Sequence, residues 1–144
     1  MYSALDVAEY IVEYCNDHNY GVSNLKLQKL LYFVQAYFLI ESQNACFYEE
    51  IEAWDFGPVV PSVYSKFKQF GSTDIPKMPN LYLYSVILEQ DKKLINAVIE
   101  KFRGYTSTDL VRLTHNQDTW RNAHAKGYNG IITKEAIRNY FAGK

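Results

Sequence analysis

Apolar residues recur at helical spacing through most of the chain. Leu5, Ala8, Val12 and Cys15 fall on one helix face. Ser3 precedes that run with Asp6 three residues later, a short form of the capping box, and Gly21 is the expected stop after "HNY". Ser23 opens a second helix, with Val22 placed to staple against Leu27. Thr106 with Asp109 repeats the box, and Tyr105 can meet Leu110. Thr133 starts a helix near the far end, with Ile132 set to meet Ile137. These four starts share one local chemistry, a hydroxyl that can accept from a free first-turn N–H.

The second helix, "SNLKLQKLLYFVQAYFLIE", is apolar nearly all round. Leu27, Leu30, Leu31, Val34 and Phe38 form one stripe, while Leu25, Tyr32 and Leu39 lie toward the far side. Such a pattern predicts a buried helix, so its polar residues carry information. Gln28, Tyr32 and Gln35 share a face, either as an internal hydrogen-bond network or as a groove floor that meets a partner. Lys26 and Lys29 fall elsewhere on the wheel, with heads expected to reach water.

After the helix the period changes. "FYEEIEAWDF" alternates as a short strand, with Ile51 and Ala53 on one side and Trp54 and Phe56 on the other. Gly57-Pro58 is expected to stop it, and Pro61 suits the first turn of a helix through "SVYSKFKQF". "GSTDIPKMPN" is loop by composition. "LYLYSVIL" alternates Leu with Tyr and is expected to pair with the first strand. A helix follows with Leu94, Ile95, Val98 and Phe102 inward, then one helix, or two broken near Asn116 to Asp118, then a last helix through "KEAIRNYF". The pattern predicts a mainly α fold, one domain over 1–144. About six helices surround a buried central helix at 23–41, and a small antiparallel element joins about 47–56 to 81–88.

Composition adds further constraints. A chain of 144 residues that is 48% hydrophobic and 22% charged has the balance of a folded protein with one core. Its 13 tyrosines suit a half-wet core rim, since each buries area while keeping a hydroxyl for a partner. A net charge of −1 gives no electrostatic footprint for nucleic acid, so DNA or RNA is not the expected partner. Cys15 and Cys46 lack C-x-x-C spacing and are expected to be reduced. "MYSALDVAEY" has no signal-peptide pattern, and Leu30 to Ile40 falls short of the roughly 20 residues that span a bilayer. The expected setting is cytoplasmic, with no membrane partner.

Catalytic signatures are missing. The chain has no phosphate-binding glycine loop, nucleophile elbow or H-E-x-x-H metal pair. His115 and His124 are two imidazoles without a third ligand. Glu49, Glu50 and Glu52 have no base or nucleophile beside them and read as a charged strand edge. The expectation is a non-enzyme with no catalytic residues, cofactor or metal. A deep pocket lined by His115, Asp118 and His124 would favour an enzyme instead.

Four blocks, "SNLKLQKLLYFVQAYFL", "EEIEAWDFGPVVPSVYSKF", "LTHNQDTWRNA" and "IITKEAIRNYF", resemble in that order the Panacea domain family. That family includes SocA-like antitoxins and phage-associated proteins related to GepA. The stretch 75–90 contributes nothing to the likeness. The resemblance implies a non-enzymatic protein that neutralises a toxin encoded by a neighbouring gene through direct contact. In the SocA branch it also implies an adaptor that delivers the toxin to a ClpXP-type protease. The alternative reading is a phage or mobile-element regulator acting on host transcription or DNA.

Gly57, Pro58 and Pro61 are expected to build a sharp corner that holds Trp54 and Tyr64 rigid. Rigid aromatics suit an interface because they lose little entropy on binding. The expected partner-facing set is Gln28, Lys29, Tyr32, Trp54 and Tyr64. The competing account makes Trp54 a plug between the sheet and the helix at 23–41.

Overall fold

A side-chain hydroxyl caps each of the four helices expected to start that way. Ser3 accepts from Asp6 N at the start of α1 (Ala4–Asp17), and Ser23 from Lys26 N at the start of α2 (Asn24–Glu41). Thr106 and Asp109 form a complete capping box on α5 (Ser107–His115), and Thr133 accepts from Ala136 N on α7 (Lys134–Ala142). The computed structural model describes residues 1–78, 86–127 and 129–144. Within them lie three more helices, α3 (Pro61–Phe67, extended by a 3₁₀ turn), α4 (Glu89–Phe102) and α6 (Asp118–Ala125). Pro61 opens α3 at its first turn. The chain breaks between α5 and α6 at Asn116 and Gln117, in the expected region.

The fold is mainly helical, with seven α-helices among the described residues and a small three-stranded antiparallel sheet. Helix α2 is its axis, packed against α1, α4, α5 and α7 and against the sheet. Fourteen of its residues are buried, from Asn24 to Leu39. Three tyrosines act at the rim between α1 and α4. Tyr10 donates to Asn96 at 2.6 Å, and Tyr14 and Tyr20 both donate to Glu100, which ties α1 and its exit loop to α4. Those bonds, the one from Tyr14 foremost, hold the Glu100 carboxyl below its ordinary pKa.

The sheet differs from the pairing expected. β1 (Ile51–Trp54) is its central strand, flanked by β2 (Gly57–Val59) and β3 (Gly130–Ile132). Trp54 faces Gly57 across a two-residue turn, and Ile51 faces Ile132. Gly57-Pro58 therefore begins a strand rather than only ending one. Pro58 is tolerated because β2 is an edge, where a missing N–H breaks no ladder. The strand expected at 81–88 falls largely on residues 79–85, outside the described residues, and both edges of β1 are occupied by β2 and β3. Gly130 lets β3 approach α6 closely, since a Cβ there would lie 2.1 Å from the Ala123 carbonyl oxygen. Helix α1 ends before Gly21, with His18 as its C-cap and Asn19 at φ 60°. Cys15 and Cys46 are both free and buried.

Candidate partner-binding site

The turn between β1 and β2 is braced from one side by a stack of three rings. The Trp120 indole lies between His115 and His124, with ring centroids 4.1 and 4.4 Å away. Each ring reaches the turn. Trp120 Nε1 donates to the Trp54 carbonyl at 2.8 Å, His115 Nε2 donates to the Asp55 carbonyl at 2.8 Å, and His124 Nε2 donates to Asp55 Oδ1 at 2.9 Å. Trp120 and His124 lie one helical turn apart on α6, while His115 comes from the last turn of α5. Two helices thus converge on one loop.

From below, the turn is held by α2. Lys29 Nζ donates to the Pro58 carbonyl at 3.1 Å, and Gln28 Oε1 accepts from Val60 N at 2.9 Å. Gln28 Nε2 also donates to Asn24 Oδ1, and Asn24 donates onward to the Tyr64 carbonyl on α3. Gly57 sits at φ 108°, which only glycine adopts readily. A Cβ there would lie 2.5 Å from Lys29 Cε and 2.9 Å from Thr114 Oγ1. The backbone of the turn rests directly on the lysine stem.

These contacts correct the reading of α2. Lys29 has no exposed surface, so its head does not reach bulk water and donates instead to the Pro58 carbonyl; Lys26 is largely buried and donates to the carbonyl of Arg103. β2 covers the face of α2 that carries Lys29. Burial lowers the Lys29 pKa to about 7. Tyr32 is also fully buried, its hydroxyl 2.6 Å from both Gln117 Oε1 and Thr119 Oγ1. Gln35 binds the backbone of Cys46 and Phe47. Among the described residues no buried side-chain N or O atom lacks a partner. Gln28, Lys29 and Tyr32 therefore present no surface to a partner in this structure; they sit behind the turn and beside it.

Trp54 and Tyr64 are placed differently. Both are half-buried, and their rings meet edge to face with centroids 5.1 Å apart. Trp54 Nε1 donates to Glu52 Oε1 at 2.9 Å, which fixes the indole along the strand. Trp54 thus plugs no closed space. Together with Asp55, Phe56, His124 and Asn129 the pair lines an open cleft of about 460 Å³. Phe56, at the tip of the turn, is 67% exposed. His124 lines this cleft while Asp118 lines a separate one against α7, and among the described residues no cluster of three metal-ligating side chains occurs.

A family model described as "Antitoxin SocA-like, Panacea domain" matches residues 27–121. The chain belongs to that family. Antitoxin SocA of Caulobacter vibrioides (strain NA1000 / CB15N) is 48% identical over 50 residues, which are 35% of this chain and 27% of that protein. The chain thus aligns with little more than a quarter of that relative. No solved structure gives a significant match. In this Panacea domain the matched stretch runs from the first buried leucine of α2 into α6, and so contains the turn, its lysine support and two of the three rings of the brace, His115 and Trp120. No helix among the described residues is long and apolar enough to cross a membrane.

The brace was not anticipated. Its one sequence signal is aromatic and imidazole rings at 115, 120 and 124, close to helical spacing but interrupted by the Asn116-Gln117 break. Read as metal ligands they lead nowhere. Read as a stack, they explain why Asp55 and Trp54 hold their positions.

Proposed function

We propose that this Panacea domain neutralises a toxin by binding it directly, with the Trp54–Tyr64 corner and the Phe56 tip as the contact surface. The match of residues 27–121 to an antitoxin family carries this reading. The geometry supports the choice of surface: a half-exposed aromatic pair, Trp54 at the end of β1 and Tyr64 on α3, flanks a turn that carries the 67% exposed Phe56 and is held by α2, α5 and α6. Aromatics fixed in advance lose little freedom when a partner covers them, which is how a few residues come to dominate an interface. Within the site, Trp54 and Tyr64 make the contact. Gln28 and Lys29 hold the corner in place from inside, and Tyr32 holds the α5–α6 break beside it. No catalytic step is assigned.

Delivery of the bound toxin to a ClpXP-type protease extends this reading, with the domain as adaptor. The deciding experiment expresses the neighbouring gene in bacteria with and without this chain. Growth arrest by the neighbour alone, relieved on co-expression, is the expected result, followed by co-purification of the two proteins. A harmless neighbour overturns the reading and turns attention to a regulator of transcription. For the adaptor step, the toxin's half-life falls when this chain is present and recovers when the protease is deleted; an unchanged half-life leaves neutralisation by binding alone.

A further inference from the structure

The cleft beside the β1–β2 turn combines aromatic walls with negative charge. Trp54 and Tyr64 meet at an interplanar angle of 64°, so their rings form two sides of a corner rather than a closed stack. Phe56 extends the apolar surface past the tip. Two carboxylates border the same surface. Glu52 uses one oxygen for the Trp54 indole, and Asp55 uses one for His124, with the Asp55 side chain 89% exposed. Among the described residues no lysine or arginine lines the cleft. Lys29 lies sealed beneath Gly57, where burial favours its neutral form.

We propose that this cleft receives a cationic side chain, arginine or lysine, from the toxin; the inference rests on the neutralisation reading above. Charge complementarity selects the occupant. A cation over an aromatic face is drawn to the negative centre of the ring, and the two carboxylates act in the same direction. A purely apolar side chain would desolvate Glu52 and Asp55 without compensating them. An acidic one would meet two like charges. The hydrogen bonds from Trp54 to Glu52 and from His124 to Asp55 keep ring and carboxylate in register before the partner arrives.

The test uses the whole chain labelled with ¹⁵N and two probes, N-acetyl-arginine amide and its neutral citrulline counterpart. The Trp54 indole N–H signal is told apart from that of Trp120 by a Trp54→Phe variant. Arginine amide should move the Trp54 signal progressively, and citrulline amide should not. The double change Glu52→Gln with Asp55→Asn keeps both acceptor oxygens and removes both charges. It should weaken the arginine response about fivefold or more, as expected for the loss of an exposed charge-assisted contact. An equal response to both probes, or no movement with arginine, overturns the assignment. Neutralisation is read separately by growth. If the double variant still rescues growth and binds toxin as tightly as the parent, the cation assignment fails while neutralisation stands. If the parent itself fails to rescue, the neutralisation reading fails and the proposed toxin contact with it.

Discussion

Lys29 and the Pro58 carbonyl, far apart in sequence, meet at 3.1 Å in a place where the lysine has no exposed surface. No carboxylate contributes to its pKa, which burial alone brings down to about 7 from the usual 10.5. An amine whose folded pKa lies below its unfolded value binds fewer protons when folded. Stability is therefore lowest below pH 7, where the buried amine must be charged, and rises as pH climbs from about 7 toward 10.5. The maximum slope is about 1.4 kcal/mol per pH unit. Urea denaturation between pH 7 and 9 should show this rise, and Lys29→Met should flatten it. Lys26, also lowered by burial, acts in the same direction, so the difference between the two proteins is the relevant quantity. An unchanged slope in Lys29→Met would show that the amine keeps its charge throughout.

Gly57→Ala meets both kinds of obstruction at once. Its φ of 108° strains any residue with a Cβ, and that Cβ would press on Lys29 and Thr114. A loss of about 2 kcal/mol or more in unfolding free energy is expected. Calorimetry or chemical denaturation measures it, with the sheet register as a second readout by NMR.

Tyr32→Phe removes one oxygen and leaves Gln117 and Thr119 to find other partners in a buried site. The expected loss is about 1–3 kcal/mol of stability. Affinity for the toxin, measured well below the melting transition, should be unchanged, because Tyr32 touches no exposed surface. A selective loss of affinity without a loss of stability would return Tyr32 to the contact surface.

Trp54→Ala should behave in the opposite way. Half-exposed and edge-on to Tyr64, the ring contributes less to the fold than a closed plug would. Stability should fall by about 1–1.5 kcal/mol, within the usual range for point substitutions. Binding should weaken by about 2 kcal/mol or more. Matched thermal melts and binding titrations separate the two terms.

The helix starts were legible because capping is local: Ser3, Ser23, Thr106 and Thr133 need only their own first turn. The burial of α2 was legible because its apolar residues leave no wet face. β2 and β3 were not, since three residues are too few for alternation to show and their partner lies outside their own segments. The site was read in halves. Trp54 and Tyr64 were found by the proline and glycine around them. In the sequence Gln28 and Tyr32 read as either an internal network or a groove floor and Lys29 as reaching water, and the partner-facing set takes their polarity for that of a surface. It instead reflects carbonyls, amides and side chains brought to them from residues 58, 60, 117 and 119.

Helix α2 reaches the hairpin through Gln28 and Lys29, and the break between α5 and α6 through Tyr32. The stretches by which the chain is recognised are therefore joined to one another in its interior, like the mortised frame of a cabinet. A frame of that kind constrains what stands behind the surface and leaves the facing free. Two proteins can share the joinery and still present different fronts to different toxins. On the contact surface proposed above, a change of partner would call for new facing residues, such as those at 54, 56 and 64, over an unaltered frame.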